Sequence, residues 1–180
     1  MKTIMWFRQD LRLSDNPALM EAISSGEIIP IYILDDINSH SEKIGDASRV
    51  WLHHSLLELN KSLNGNLRFF KGAAKEIISE LIGVTDAKKI VWNRCYEPWR
   101  IKRDTYIKKD LKDSGIEVKS CNGSLLWEPQ EICKSDGTHY RVFTPFYRRG
   151  CLNAAPPRIP QNAPLNIKFA ENQNLKRDCS

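Results

Sequence analysis

Short apolar runs alternate with stretches in which apolar residues recur every three or four positions. Residues 3–7 (TIMWF) and 27–34 (EIIPIYIL) are continuous apolar runs, as expected of strands buried on both faces. Pro30 is the one blemish in the second. Residues 67–71, 89–92 and 116–119 give three further strands. Between them, Asp15 or Asn16 can cap a helix that Pro17 opens, with Leu19, Ala22 and Ile23 inward. The spacing of Leu52, Leu56, Leu59 and Leu63 predicts a helix over 46–64. Ile77, Ile78, Leu81 and Ile82 predict another over 73–82, and a fourth covers 100–114, stopped by Gly115. Strands alternating with helices imply right-handed βαβ units: an α/β, doubly wound, five-stranded parallel sheet with helices on both faces.

Beyond residue 120 the pattern lapses. Residues 121–140 read as loop, and Thr144-Pro145 can open a short helix that Gly150 stops. Residues 151–180 hold four of the nine prolines and no glycine, the composition of an extended linker. The division expected is an α/β domain over 1–135, a short helical segment over 136–150 and a proline-rich linker over 151–180.

The chain of 180 residues has a formal net charge of +5, and all of that excess falls within residues 141–180. The body is neutral, so a pI near 9 does not mark it as a nucleic-acid binder. No apolar run approaches the roughly 20 residues of a membrane span. The N-terminus lacks a secretory pattern, and five cysteines without a Cys-x-x-Cys favour reduced thiols, so a cytoplasmic location is expected.

In such a sheet, ligands bind beyond the C-terminal ends of the strands. Arg8, Asp10, Arg12 and Asp15 alternate in sign after the first strand. They form either a salt-bridged loop or a pocket in which Arg8 meets an anionic or π-rich ligand. After the fourth strand, Arg94, Tyr96, Glu97, Trp99 and Arg100 can stack a flat heteroaromatic and accept its N–H groups, or simply pack. Arg49, near the start of the long helix, is a pocket residue or a solvated charge. Phosphate-cradling glycine motifs and a nucleophile elbow are absent from the sequence. His53 and His54 diverge on their helix, and His40 and His139 have no spaced partners, so no metal site is expected. No catalytic residue is assigned. Any chemistry then falls to a cofactor or another domain.

Residues 6–19 (WFRQDLRLSDNPAL) resemble the N-terminal signature of DNA photolyases and cryptochromes. Residues 30–35 (PIYILD), 51–56 (WLHHSL), 92–98 (WNRCYEP) with Arg103-Asp104, and 140–147 (YRVFTPFY) keep the family's order. Bacterial photolyases are the closer branch. The resemblance implies strand order 3-2-1-4-5 and an antenna domain holding a folate or a deazaflavin. It also implies that an all-helical domain, absent from these residues, binds FAD and UV-damaged DNA. By this reading the chain alone lacks repair activity, its partner is its own FAD-binding domain, and the full-length protein is monomeric and not membrane-bound.

For the antenna, Arg8, Arg49, Glu97, Trp99 and Arg100 are the expected binding residues. Trp99 and Arg100 stand where folate-binding members carry Asn-Glu. Cys95 stands where deazaflavin-binding members carry Asp, and Arg49 matches an arginine near the deazaflavin pocket. Retention of Tyr96-Glu97 favours methenyltetrahydrofolate. The rivals are a cryptochrome-type photoreceptor and a stand-alone nucleotide- or flavin-binding module.

Overall fold

The computed structural model describes residues 1–37 and 43–171. His40, Cys179 and the end of the expected linker lie outside the described residues. Five strands form one parallel sheet: β1 (Lys2–Phe7), β2 (Glu27–Leu34), β3 (Arg68–Lys71), β4 (Lys89–Asn93) and β5 (Glu117–Cys121). Their spatial order is β3-β2-β1-β4-β5, the order the resemblance implies.

Alternation along β1 sends Ile4 and Trp6 to one face and Met5 and Phe7 to the other. Ile4 and Trp6 pack with Ile78 and Leu81 of α3 (Ala74–Thr85) and Ile107 and Leu111 of α4 (Pro98–Asp113). Met5 and Phe7 pack with Ala18, Leu19 and Ala22 of α1 (Pro17–Ser24) and Leu59 of α2 (Asp46–Ser62). Both faces are therefore covered, which is why β1 and β2 read as unbroken apolar runs. Asn16, not Asp15, caps α1, with Leu19 N donating to its Oδ1 at 3.1 Å.

Pro30 sits opposite Met5 of β1. On the other edge of β2, β3 pairs only from Ile31 onward. The remaining contact on that edge is a bridge from Ile28 to Phe169. Pro30 falls between the two, where its missing N–H leaves no ladder bond unmade. That bridge revises the picture of residues 151–180 as extended chain only. Ile28 N donates to Lys168 O at 2.8 Å, and Ala170 N donates to Ile28 O at 3.0 Å. Ile167 and Phe169 pack on the α1/α2 face.

Two compact units result: Met1–Gly123 joined by the segment from Gln161, and Ser124–Pro160. In the second, helical turns run through Phe143–Pro145, Phe146–Gly150 and Cys151–Asn153. Gly150 does not stop them. Its role is close packing, since a Cβ there would lie 2.7 Å from Ile132 Cγ2. α4 also begins earlier than expected. Pro98 takes its first position, so Trp99 and Arg100 stand on the first turn of a helix and not in a loop. Among the described residues, no helix is long and apolar enough to cross a membrane.

Candidate functional site

The loop after β1 folds back over the ends of β1 and β4. Arg8 is buried, ion-paired to Asp104 of α4, and donates to the Asn93 carbonyl. Arg8 N donates to Asp10 Oδ1 at 2.8 Å. Asn93 Nδ2 donates to Asp10 and, at 2.7 Å, to Asn16 Oδ1. Arg12 Nη2 donates to the carbonyls of Asp15 (2.8 Å) and Gly123 (2.6 Å). Gly123 is needed at that point, because a Cβ would collide with the Asn93 side chain. The alternating charges of this loop are thus a salt-bridged and hydrogen-bonded network.

The network continues into α4. Arg103 meets Asp104 Oδ1 at 2.8 Å and Asp35, at the end of β2, at 3.2 Å. Arg8, Asp104, Arg103 and Asp35 form a buried chain of alternating charge tying β1, α4 and β2 together. Guanidinium and indole planes interleave along it. Arg8 and Arg103 lie 5.0 and 4.8 Å from the Trp6 ring centre. Arg103 and Arg100 lie 5.0 and 4.6 Å from that of Trp99. Trp99 is held by two cations, each contact worth about 0.5–2 kcal/mol.

Above this floor opens a cleft of about 790 Å³ at the C-terminal edge of the sheet. Its walls include Trp6, Tyr32, Trp51 and Trp99. Among the described residues it is lined by five cations (Arg8, Arg12, Lys43, Arg100, Arg103) and two carboxylates (Asp35, Asp36). Burial pushes the Tyr32 phenol up to about 12, so it faces the cleft as a neutral hydrogen-bond donor. Trp6, almost fully buried, has no acceptor for its Nε1–H among the described residues.

Of the five residues expected at a binding site, Arg8, Trp99 and Arg100 line the cleft. Arg49 and Glu97 stand behind it. Arg49 donates to Asp36 Oδ2 at 2.7 Å and to the Ile44 carbonyl at 3.0 Å, holding two lining residues in place. Its hydrogen bond to Asp36 raises its pKa. Glu97 accepts from Gln9 Nε2 at 2.7 Å and pairs with Arg100 at 3.4 Å, while its buried Oε2 has no hydrogen-bond partner among the described residues. Burial raises the Cys95 thiol, which favours its neutral, unreactive form.

Sequence reasoning missed Tyr32, Trp51 and the Asp35–Arg103 pair as parts of this site. Arg103 was recoverable. It lies four residues after Trp99, so a helix begun at Pro98 puts both on one face. Asp35 and Tyr32 carry no sequence signal beyond their place at the end of a strand.

The DNA photolyase family matches residues 3–164 of the chain. A deoxyribodipyrimidine photo-lyase of Agrobacterium fabrum is 40% identical over 168 residues, covering 91% of this chain and 34% of the relative. Cryptochrome-2 of Arabidopsis thaliana is 38% identical over 156 residues, covering 84% and 25%. The crystal structure of a class III photolyase from Agrobacterium tumefaciens superposes with a TM-score of 0.88 at 37% identity, covering 98% of this chain and 37% of that one. The chain spans about a third of the length of the photolyase relative.

Proposed function

The chain belongs to the DNA photolyase family, and from that premise we propose that its α/β unit is the light-collecting antenna domain. The cleft takes a planar chromophore, methenyltetrahydrofolate ahead of a deazaflavin. When bound, such a chromophore absorbs near-UV or blue light and passes the excitation on. The observation that carries this reading is the cleft itself: about 790 Å³, walled by indole and phenol rings, at the strand ends. Its residues fit such a group. Trp99, held by Arg100 and Arg103, lines the cleft with its indole. Trp6 Nε1, on the cleft wall, is a donor without an acceptor among the described residues. The excess of cationic over acidic lining suits a ligand bearing carboxylates or carbonyls.

Within this reading Arg8 and Arg103 set the floor, Trp99 stacks, Tyr32 donates, and Arg49 and Glu97 orient their neighbours. Titration of the chain with methenyltetrahydrofolate and with a deazaflavin, followed by absorbance, tests it. Glu97→Gln, which removes the charge that pairs with Arg100 on the cleft wall, is expected to weaken binding by about two- to fivefold. Equal binding by Glu97→Gln contradicts the role of the carboxylate.

For the whole protein we propose the activity named in the Agrobacterium fabrum relative, deoxyribodipyrimidine photo-lyase. UV-damaged DNA and FAD are then engaged by a helical domain outside these residues. The protein is monomeric and cytoplasmic. In the second unit, Phe143, Phe146 and Tyr147 are exposed, with the Phe143 and Tyr147 rings stacked at 5.8 Å, and they supply an apolar surface for that domain. The similarity to cryptochrome-2 supports a second reading, a blue-light photoreceptor. A repair assay separates them. The expected result is light-driven loss of dimers with the full-length protein and none with these 180 residues alone.

A further inference from the structure

Tyr32, Leu34 and Leu52 line two cavities. One is the cleft. The other, of about 390 Å³, is lined by residues of α2 and of the ends of β2 and β3. The packing of α2 accounts for it. Leu52, Leu56, Leu59 and Leu63 share one stripe, yet only Leu59 and Leu63 are buried. Leu52 and Leu56, nearer the start of the helix, are half-buried, and Leu57 is exposed. The seventeen residues of α2 run about 25 Å, whereas the four of β3 span about 13 Å. The edge strand cannot back the whole helix, and the cavity opens where it falls short.

The walls of this cavity are mostly leucine and phenylalanine, with three basic side chains among them: Arg49, His53 and Lys71. Among the described residues that line it, none is acidic. The charge of Arg49 is met by Asp36 at 2.7 Å. Lys71, the last residue of β3, is exposed and meets no carboxylate on the lining. Leucines that border a void lack packing partners on that side, and an apolar body placed there restores them. The volume is within the range of small-molecule sites. Shape and charge together call for a compact apolar group bearing one anionic head.

We propose that this cavity binds a small aromatic carboxylate, its rings against Leu52, Leu56 and Leu57 and its carboxylate on Lys71. Leu56, Leu57 and Lys71 do not line the cleft. The proposal therefore does not rest on what the cleft binds.

The test is titration of the chain with naphthalene-1-carboxylate and with the neutral 1-naphthalenemethanol, followed by leucine-methyl NMR. Saturable binding of both is expected, with the largest shifts at Leu52, Leu56 and Leu57. The carboxylate is expected to bind about threefold more tightly than the alcohol, the worth of one exposed charge pair. Lys71→Met is expected to remove that preference, and Leu57→Glu to reverse it. Both positions are exposed, so neither change threatens the fold. A folded chain without saturable binding overturns the proposal. So do shifts centred on Leu11, which lines the cleft and not this cavity. A carboxylate preference that survives Lys71→Met overturns it as well.

Discussion

Arg8 is where the strand ends converge. Its guanidinium meets a carboxylate of α4, a carbonyl of β4 and the ring of Trp6, all away from water. Removing one partner from such a pair strands a buried charge, which costs about 3–5 kcal/mol. Asp104 serves both Arg8 and Arg103, so Asp104→Asn should lower the unfolding free energy in urea by about that much. A loss below about 0.5 kcal/mol, the range of ordinary surface substitutions, would mean that the network is incidental. The sequence made part of this legible. Alternating signs in residues 8–15 indicate a loop that can satisfy its own charges. It could not show that Arg8 pairs with Asp104, because that contact spans 96 positions and depends on the β1–β4 adjacency. Arg49 is invisible in the same way: its partner Asp36 is fixed only once α2 has packed beside the end of β2.

Between elements, the clearest electrostatic link is Lys89 of β4. It is held between Glu21 of α1 at 2.7 Å and Glu117 of β5 at 2.9 Å. Burial works against its ammonium, but the hydrogen bonds to the two carboxylates raise its pKa overall. The hydrogen bond from Lys89 lowers that of Glu21. The depressed carboxylate contributes stability that is present above its unfolded pKa of about 4.3 and lost as pH falls through the folded value. The raised ammonium contributes stability present below its unfolded pKa and lost as pH rises through the folded one. Lys89→Met should therefore flatten both limbs, removing the acid-side loss due to Glu21 and the loss at high pH. Melting temperature against pH for the two proteins checks this, and superimposable profiles would refute it. Strands and helices were readable at this scale because the apolar period switches cleanly between continuous runs and the helical repeat. The segment around Phe169 was not. It has no period of its own, and what fixes it is a pair of backbone hydrogen bonds to Ile28. The start of α4 was obscured because Glu97-Pro98 reads equally as turn or as first turn of a helix.

Across the whole molecule, the parallel sheet, its order and the doubly wound helices place one large cleft at the strand ends, and the position of that cleft followed from the alternation of elements alone. Its chemistry did not. The lining comes from four separate stretches, and the fixing of Trp99 by two guanidinium groups exists only after α4 has docked on β1 and β4. Family membership and cleft geometry meet in one claim, that this unit holds a planar light-absorbing group. The most direct measurement is equilibrium titration of the folded chain with methenyltetrahydrofolate, read by the absorbance of the bound chromophore and repeated with Trp99→Ala. Saturable binding at one equivalent, weakened severalfold or more by loss of the indole, is the predicted result. A folded chain that binds neither methenyltetrahydrofolate nor a deazaflavin, or that binds identically without Trp99, would contradict the account.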